Sequence, residues 1–118
     1  MNKENSQQNR IIVLWVSGDK EVALNMVLMY TLNAKKQGWW NELCLIIWGS
    51  SARLLFEDPE LQEYLACIKA AGVQLEDCKA CTDRYGVSKK LKKLGIHVKY
   101  MGIPFTDYLK NGSRVITI

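Results

Sequence analysis

Two unbroken apolar runs, Ile11 to Val16 (IIVLWV) and Leu43 to Trp48 (LCLIIW), constrain this chain more than any other feature. A strand with one wet face alternates apolar and polar residues; these runs do not, so each must be covered on both faces, as in a parallel sheet. Each leads into a glycine turn, Ser17-Gly18 and Gly49. Between them, a helix is expected from Asp19, its N-cap, to about Gln37, with Gly38 just past its end. Parallel neighbours need such a crossover.

The rest of the chain repeats this alternation. Ser50 or Ser51 is expected to cap a short helix to Glu57, and Asp58-Pro59 to restart it with Leu61, Tyr64, Leu65 and Ile68 as one buried stripe. Gly72 ends that helix, and Val73 to Glu76 reads as a third strand running into Asp77-Cys78-Lys79-Ala80-Cys81. A helix then continues to Leu94, interrupted at Tyr85-Gly86-Val87 and re-capped by Ser88. Ile96 to Tyr100 is the fourth strand, Pro104 to Lys110 a last helix, and Arg114 to Ile118 the fifth strand. The expected fold is a three-layer α/β/α sandwich with a five-stranded parallel sheet.

At 118 residues, 48% of them apolar and 24% charged, the chain suits one globular domain, expected over 10–118 behind a disordered polar tail at 1–9. That tail has no signal-peptide core and no run spans a bilayer, so a cytoplasmic location without membrane contact is expected. In a reducing compartment the four cysteines are expected as thiols. The net charge of +4 is modest. Lys89, Lys90, Lys92 and Lys93 flank Leu91 as a solvated helix face, and no nucleic-acid partner is expected.

The first helix carries apolar residues around most of its girth: Val22, Ala23, Leu24, Met26, Val27, Leu28, Met29, Tyr30 and Leu32. One sheet face needs a narrower stripe, so the remainder is expected to meet another subunit.

In open parallel sheets, ligands collect beyond the carboxyl ends of the strands. This selects Ser17, Gly18 and Asp19; Trp48, Gly49 and Ser50; Cys78 with Lys79 and Cys81; and Met101 with Gly102 as site or pocket residues. Only the third loop brings a strong nucleophile. A thiol in the first turn of a helix faces free N–H groups and the positive end of the helix dipole, which favour thiolate. Lys79 reinforces this, whereas Asp77 and Asp83 oppose it. Cys78 is expected to be accessible and to alkylate faster than Cys44, Cys67 and Cys81.

The Cys78-x-x-Cys81 spacing fits a disulfide, half of a metal site, or a persulfide-bearing thiol with a neighbour. Zinc needs four ligands, and His97, the sole histidine, reads as a partly buried strand residue, so no metal and no other cofactor is expected. A dithiol redox pair is the main competitor, but it follows the third strand, and Pro59 and Pro104 both read as helix-start residues. Cys44 and Cys67 read as packing residues. Trp15 and Trp48 read as core or pocket wall, and Trp39-Trp40 as a packing plug or interface anchor.

The order of elements, the Trp48-Gly49-Ser50 turn and above all Cys78-Lys79-Ala80-Cys81-Thr82-Asp83-Arg84-Tyr85-Gly86-Val87 resemble the DsrE/DsrF-like family. The resemblance implies a five-stranded α/β/α fold and a sulfur carrier or sulfurtransferase whose Cys78 holds a persulfide and passes it on. It also implies homotrimers or hexamers, and sulfur donor and acceptor proteins as partners. Cys81 would be a resolving or shielding neighbour. The alternatives are a non-catalytic oligomeric module binding a small ligand or a protein, and a redox protein using Cys78 and Cys81.

Overall fold

The computed structural model describes residues 9–118, so the expected tail falls outside the described residues except for Asn9. The Asn9 carbonyl accepts the backbone N–H groups of Asn41, at 2.9 Å, and Glu42. The strands are β1 (Arg10–Trp15), β2 (Glu42–Ile47), β3 (Gln74–Cys78), β4 (His97–Lys99) and β5 (Arg114–Thr117). They form one parallel sheet in the order β4-β3-β2-β1-β5, which agrees with the expected five-stranded parallel architecture.

This order dictates where the helices lie. From β1 through β4 each strand adds to the same side, and right-handed crossovers in one direction stack their helices on one sheet face. There lie α1 (Lys20–Val22, a π-helical stretch Ala23–Val27, then Leu28–Gln37), α2 (Ser50–Glu57), α3 (Pro59–Ala70) and α5 (Ser88–Lys93), behind α4 (Lys79–Tyr85). Their buried Val27, Leu28, Leu55, Leu61, Leu65, Ile68 and Leu91 pack on Val13, Trp15, Leu45, Ile47 and Leu75. The return from β4 past β1 to β5 reverses direction and puts α6 (Gly102–Lys110) on the second face. There Ile12, Leu14, Cys44, Ile46, Cys78 and Met101 form a smaller core, with Phe105, Tyr108 and Val115 against it.

Helix ends follow the sequence in part. Asp19 accepts the Val22 N–H at 3.0 Å, and Asp58 accepts the Leu61 N–H at 3.2 Å ahead of Pro59. Neither serine caps α2: Gly49 is its N-cap, and the buried Ser51 hydroxyl donates to the Trp15 carbonyl at 2.6 Å and accepts the Trp48 N–H at 3.2 Å. Ser88 does not cap α5 either, because its hydroxyl donates to the Asp83 carboxylate at 2.5 Å. The last helix begins at Gly102, two residues before Pro104, and His97 is exposed at the start of β4.

The girth of α1 is largely absorbed within the chain. The π-helical stretch inserts an extra residue per turn, so consecutive Val27 and Leu28 are both buried. Leu24, Tyr30 and Leu32 pack against the core from its flanks. Met26 and Met29 stay exposed, as does the neighbouring Trp39, while Trp40 donates to the Tyr30 hydroxyl at 2.9 Å.

Because Ser51 ties the ends of β1 and β2 together, Ser51→Ala should lower stability in urea unfolding by about 1–2 kcal/mol. Ser50→Ala, at an exposed position, should stay within about 0.5 kcal/mol of the parent.

Candidate functional site

Strand β3 runs two residues beyond its expected end because Glu76, Asp77 and Cys78 pair with His97, Val98 and Lys99 of β4. Side chains alternate along a strand, so Glu76 and Cys78 face the second core and Asp77 faces the first. Cys78 is therefore the last residue of β3 and the N-cap of α4, not a member of its first turn. Its thiol packs with Met101 and Ile46, and only 5% of the residue is exposed. The expected accessibility of Cys78 is thus overturned; Cys67, on α3, is the exposed cysteine.

Cys81 lies one turn along α4 and is half-buried. Burial pushes its thiol up, the Gly49 N–H beside it partly offsets this, and the adjoining Cys78 thiol adds to the rise. Gly49 has φ +75°, a conformation that favours glycine and aims this N–H back at α4. Trp48 stands edge-on to the Phe105 ring at 5.5 Å, so Trp48, Met101, Cys78 and Cys81 form one cluster under the start of α6.

The remaining candidates lie around it. Lys79 does not act as a free cation, because its ammonium is bound to Asp83 at 2.5 Å and sits 5.2 Å from the Tyr100 ring centre. A side chain at Gly18 would meet the Ser50 Cβ at 3.1 Å, and the two residues line a cleft of about 300 Å³ with Arg53, Leu54, Glu57 and Tyr85. Asp19 is spent on its helix cap, and the Ser17 hydroxyl accepts the Asp19 N–H at 3.1 Å. Gly102 is exposed as the first residue of α6. Among the described residues, no group of three or more His, Cys, Asp or Glu could hold a metal ion.

Sequence reasoning missed two buried acids. Glu76 Oε1 accepts the Tyr108 hydroxyl at 2.5 Å and the Cys44 thiol at 3.2 Å; Oε2 accepts the Gln74 amide at 3.2 Å and pairs with Lys99. Burial alone would raise its pKa, but the donations from Lys99, Tyr108 and Cys44 outweigh it and hold the carboxyl below its usual range. Burial and the adjacent Glu76 charge push the Cys44 thiol well up, and burial with the Glu76 bond does the same to Tyr108. Asp77 is the opposite case: fully buried, with both carboxylate oxygens lacking a hydrogen-bond partner. Burial pushes it up to about 8, against a weaker opposing pull from the Cys78 N–H. Its charge, where present, adds to the rise at Cys81.

Two comparisons with known proteins place the chain. The model of the DsrE/DsrF-like family matches residues 11–118. A conserved protein of unknown function from Bacteroides thetaiotaomicron, BT1422, superposes with a TM-score of 0.91 at 38% identity, covering 93% of this chain and 95% of that one. The ychN protein of E. coli shares the fold, with a TM-score of 0.72 at 20% identity over 94% of this chain and 99% of that one. No curated protein matches the sequence. No helix among the described residues is long and apolar enough to cross a membrane.

The folded pKa of Asp77, about 8, exceeds its ordinary value of 3.8, so the native state retains a proton that the unfolded chain has lost. Stability therefore falls as pH rises from about 4 to about 8, by up to roughly 5 kcal/mol from this residue. Asp77→Asn should remove that slope. In thermal melts it should gain on the wild type steadily between pH 5 and pH 8, and parallel pH profiles would contradict the assignment.

Proposed function

The chain belongs to the DsrE/DsrF-like family, and from that footing we propose that it is a sulfur carrier whose Cys78 holds a persulfide and hands it to an acceptor. The observation that supports this most directly is the placement of Cys78: at the carboxyl edge of the sheet, where β3 gives way to α4, with Cys81 beside it. Ligands of parallel α/β sheets collect at this edge.

In the loading step the Cys78 thiolate attacks the outer sulfur of a donor persulfide. The donor S–S bond breaks and its electron pair leaves with the donor thiolate. The transferred sulfur, carrying its proton, becomes the outer sulfur of Cys78–S–SH. Transfer onward repeats the exchange with an acceptor thiolate attacking that outer sulfur.

A dithiol redox function is the second reading, favoured by the contact between the Cys78 and Cys81 thiols. The two readings share a step. Attack by Cys81 on the inner sulfur of the Cys78 persulfide expels hydrosulfide and closes a Cys78–Cys81 disulfide. In a carrier, Cys81 thus limits how long unclaimed sulfur is held.

For assembly, we infer a homo-oligomer of the trimeric or hexameric kind, with exposed Met26, Met29 and Trp39 as surface for subunit contact. The reducing cytosol is the compartment in which both thiols would stay available.

Incubating the protein with a persulfide donor should add the mass of one sulfur atom at Cys78, and Cys78→Ser should abolish the adduct while remaining folded. Cys81→Ser should lengthen the adduct's lifetime severalfold, read by intact mass against time. Failure of the wild type to take up sulfur at all would leave the carrier reading without support.

A further inference from the structure

The proposed chemistry needs a donor's S–S bond to meet Cys78 Sγ in line, yet Cys78 is 5% exposed. Its cover on the second face is α6, a helix of nine residues, none of which is fully buried. Such a helix is held by few contacts. Phe105 meets Trp48 edge-on at 5.5 Å, and the Tyr108 hydroxyl donates to Glu76 Oε1 at 2.5 Å.

Glu76 is fixed independently of α6. Cys44 from β2, Gln74 from β3 and Lys99 from β4 all bind its carboxylate, and Tyr108 is the partner that α6 contributes. Lifting α6 therefore breaks the Tyr108 bond and leaves the buried charge with three partners, so it does not strand an unpaired ion. The Arg10 guanidinium lies 4.7 Å from the Tyr108 ring centre, a contact at the rim of the same face. Glycines flank the helix: Gly102 begins it, and Gly112, at φ +78°, follows its end. The approach to it is apolar and open, with Tyr100 66% and Ile103 78% exposed.

We infer that α6 is a lid over Cys78, latched to the sheet by the Tyr108–Glu76 hydrogen bond, and that Tyr108 and Glu76 are positioning residues that set how often the thiol is presented. The inference deepens the sulfur-carrier reading, and its test is independent of sulfur uptake. Cys44 and Cys78 lie in the core that α6 covers, whereas Cys67 is exposed on the other side of the sheet. The cysteines thus report lid opening directly.

Native-state alkylation with iodoacetamide, resolved by site in mass spectrometry, should show Cys78 labelling about tenfold faster in Tyr108→Phe, with the Cys67 rate unchanged. Unchanged Cys78 labelling would overturn the lid, and so would an increase equal to the rise in the global unfolding constant from urea denaturation. A second measurement uses the wild type alone: α6 amides should exchange hydrogen by an opening much more frequent than that of α3, and exchange of both at the global rate would also overturn it. If labelling responds as stated but no persulfide forms on the wild type, the lid stands and the sulfur-carrier reading fails.

Discussion

The strand order β4-β3-β2-β1-β5 is the constraint from which the rest of the molecule follows. Three successive crossovers in one direction, with the right-handed sense that such connections favour, commit the helices between them to one face of the sheet. That face acquires a deep aliphatic core in which Leu45, Ile47, Leu55, Leu61, Leu65 and Ile68 are closed to solvent. Each such side chain contributes about 1.5–3 kcal/mol on burial. The opposite face gets what remains, a single return helix, and the cysteine pair of the candidate site lies beneath it. Stability and chemistry are thus divided between the faces by topology alone.

Strand β3 shows the same division within a few residues. Glu76 and Asp77 are adjacent acids of similar chemistry, both inaccessible to solvent, yet the pleat turns them to opposite faces. On the thin face Glu76 meets a lysine, a phenol, a thiol and an amide and stays ionised. On the aliphatic face Asp77 meets no hydrogen-bond partner and keeps its proton into the neutral range. An unsatisfied carboxyl in the main core is a cost that an apolar residue would not incur.

Much of the fold was legible because its strongest signals are one-dimensional. The runs at Ile11 and Leu43 announce doubly covered strands, and Asp19, Asp58-Pro59, Gly38 and Gly86 punctuate helices by their own backbone chemistry. The candidate cysteine was legible too, since strand-to-helix junctions are recognisable from pattern. Its burial was not: after a strand read to end at Glu76, Asp77-Cys78 reads as the exposed entry to a helix until the partners on β2, β4 and α6, far away in sequence, are known. The π-helical stretch of α1 escaped for a related reason. An apolar helix that winds wider than usual and one that faces two surfaces share a composition, and backbone hydrogen bonds alone distinguish them.

The pairing of β5 with β1 also has a temporal meaning. Ile11 lies opposite Arg114, and Ile118 exchanges backbone hydrogen bonds with Leu14 and Val16, so the two extremes of the described chain close against each other. During synthesis β1 emerges before β2, β3 and β4, its outer edge is filled only when β5 follows them, and closing so long a loop is slow. Until then, Ile12, Leu14 and Ile46 stand on a bare sheet face beside an unpaired strand edge. That combination invites strand addition from another chain. The nascent protein is therefore most vulnerable to aggregation at the face that later shelters Cys78 and Cys81.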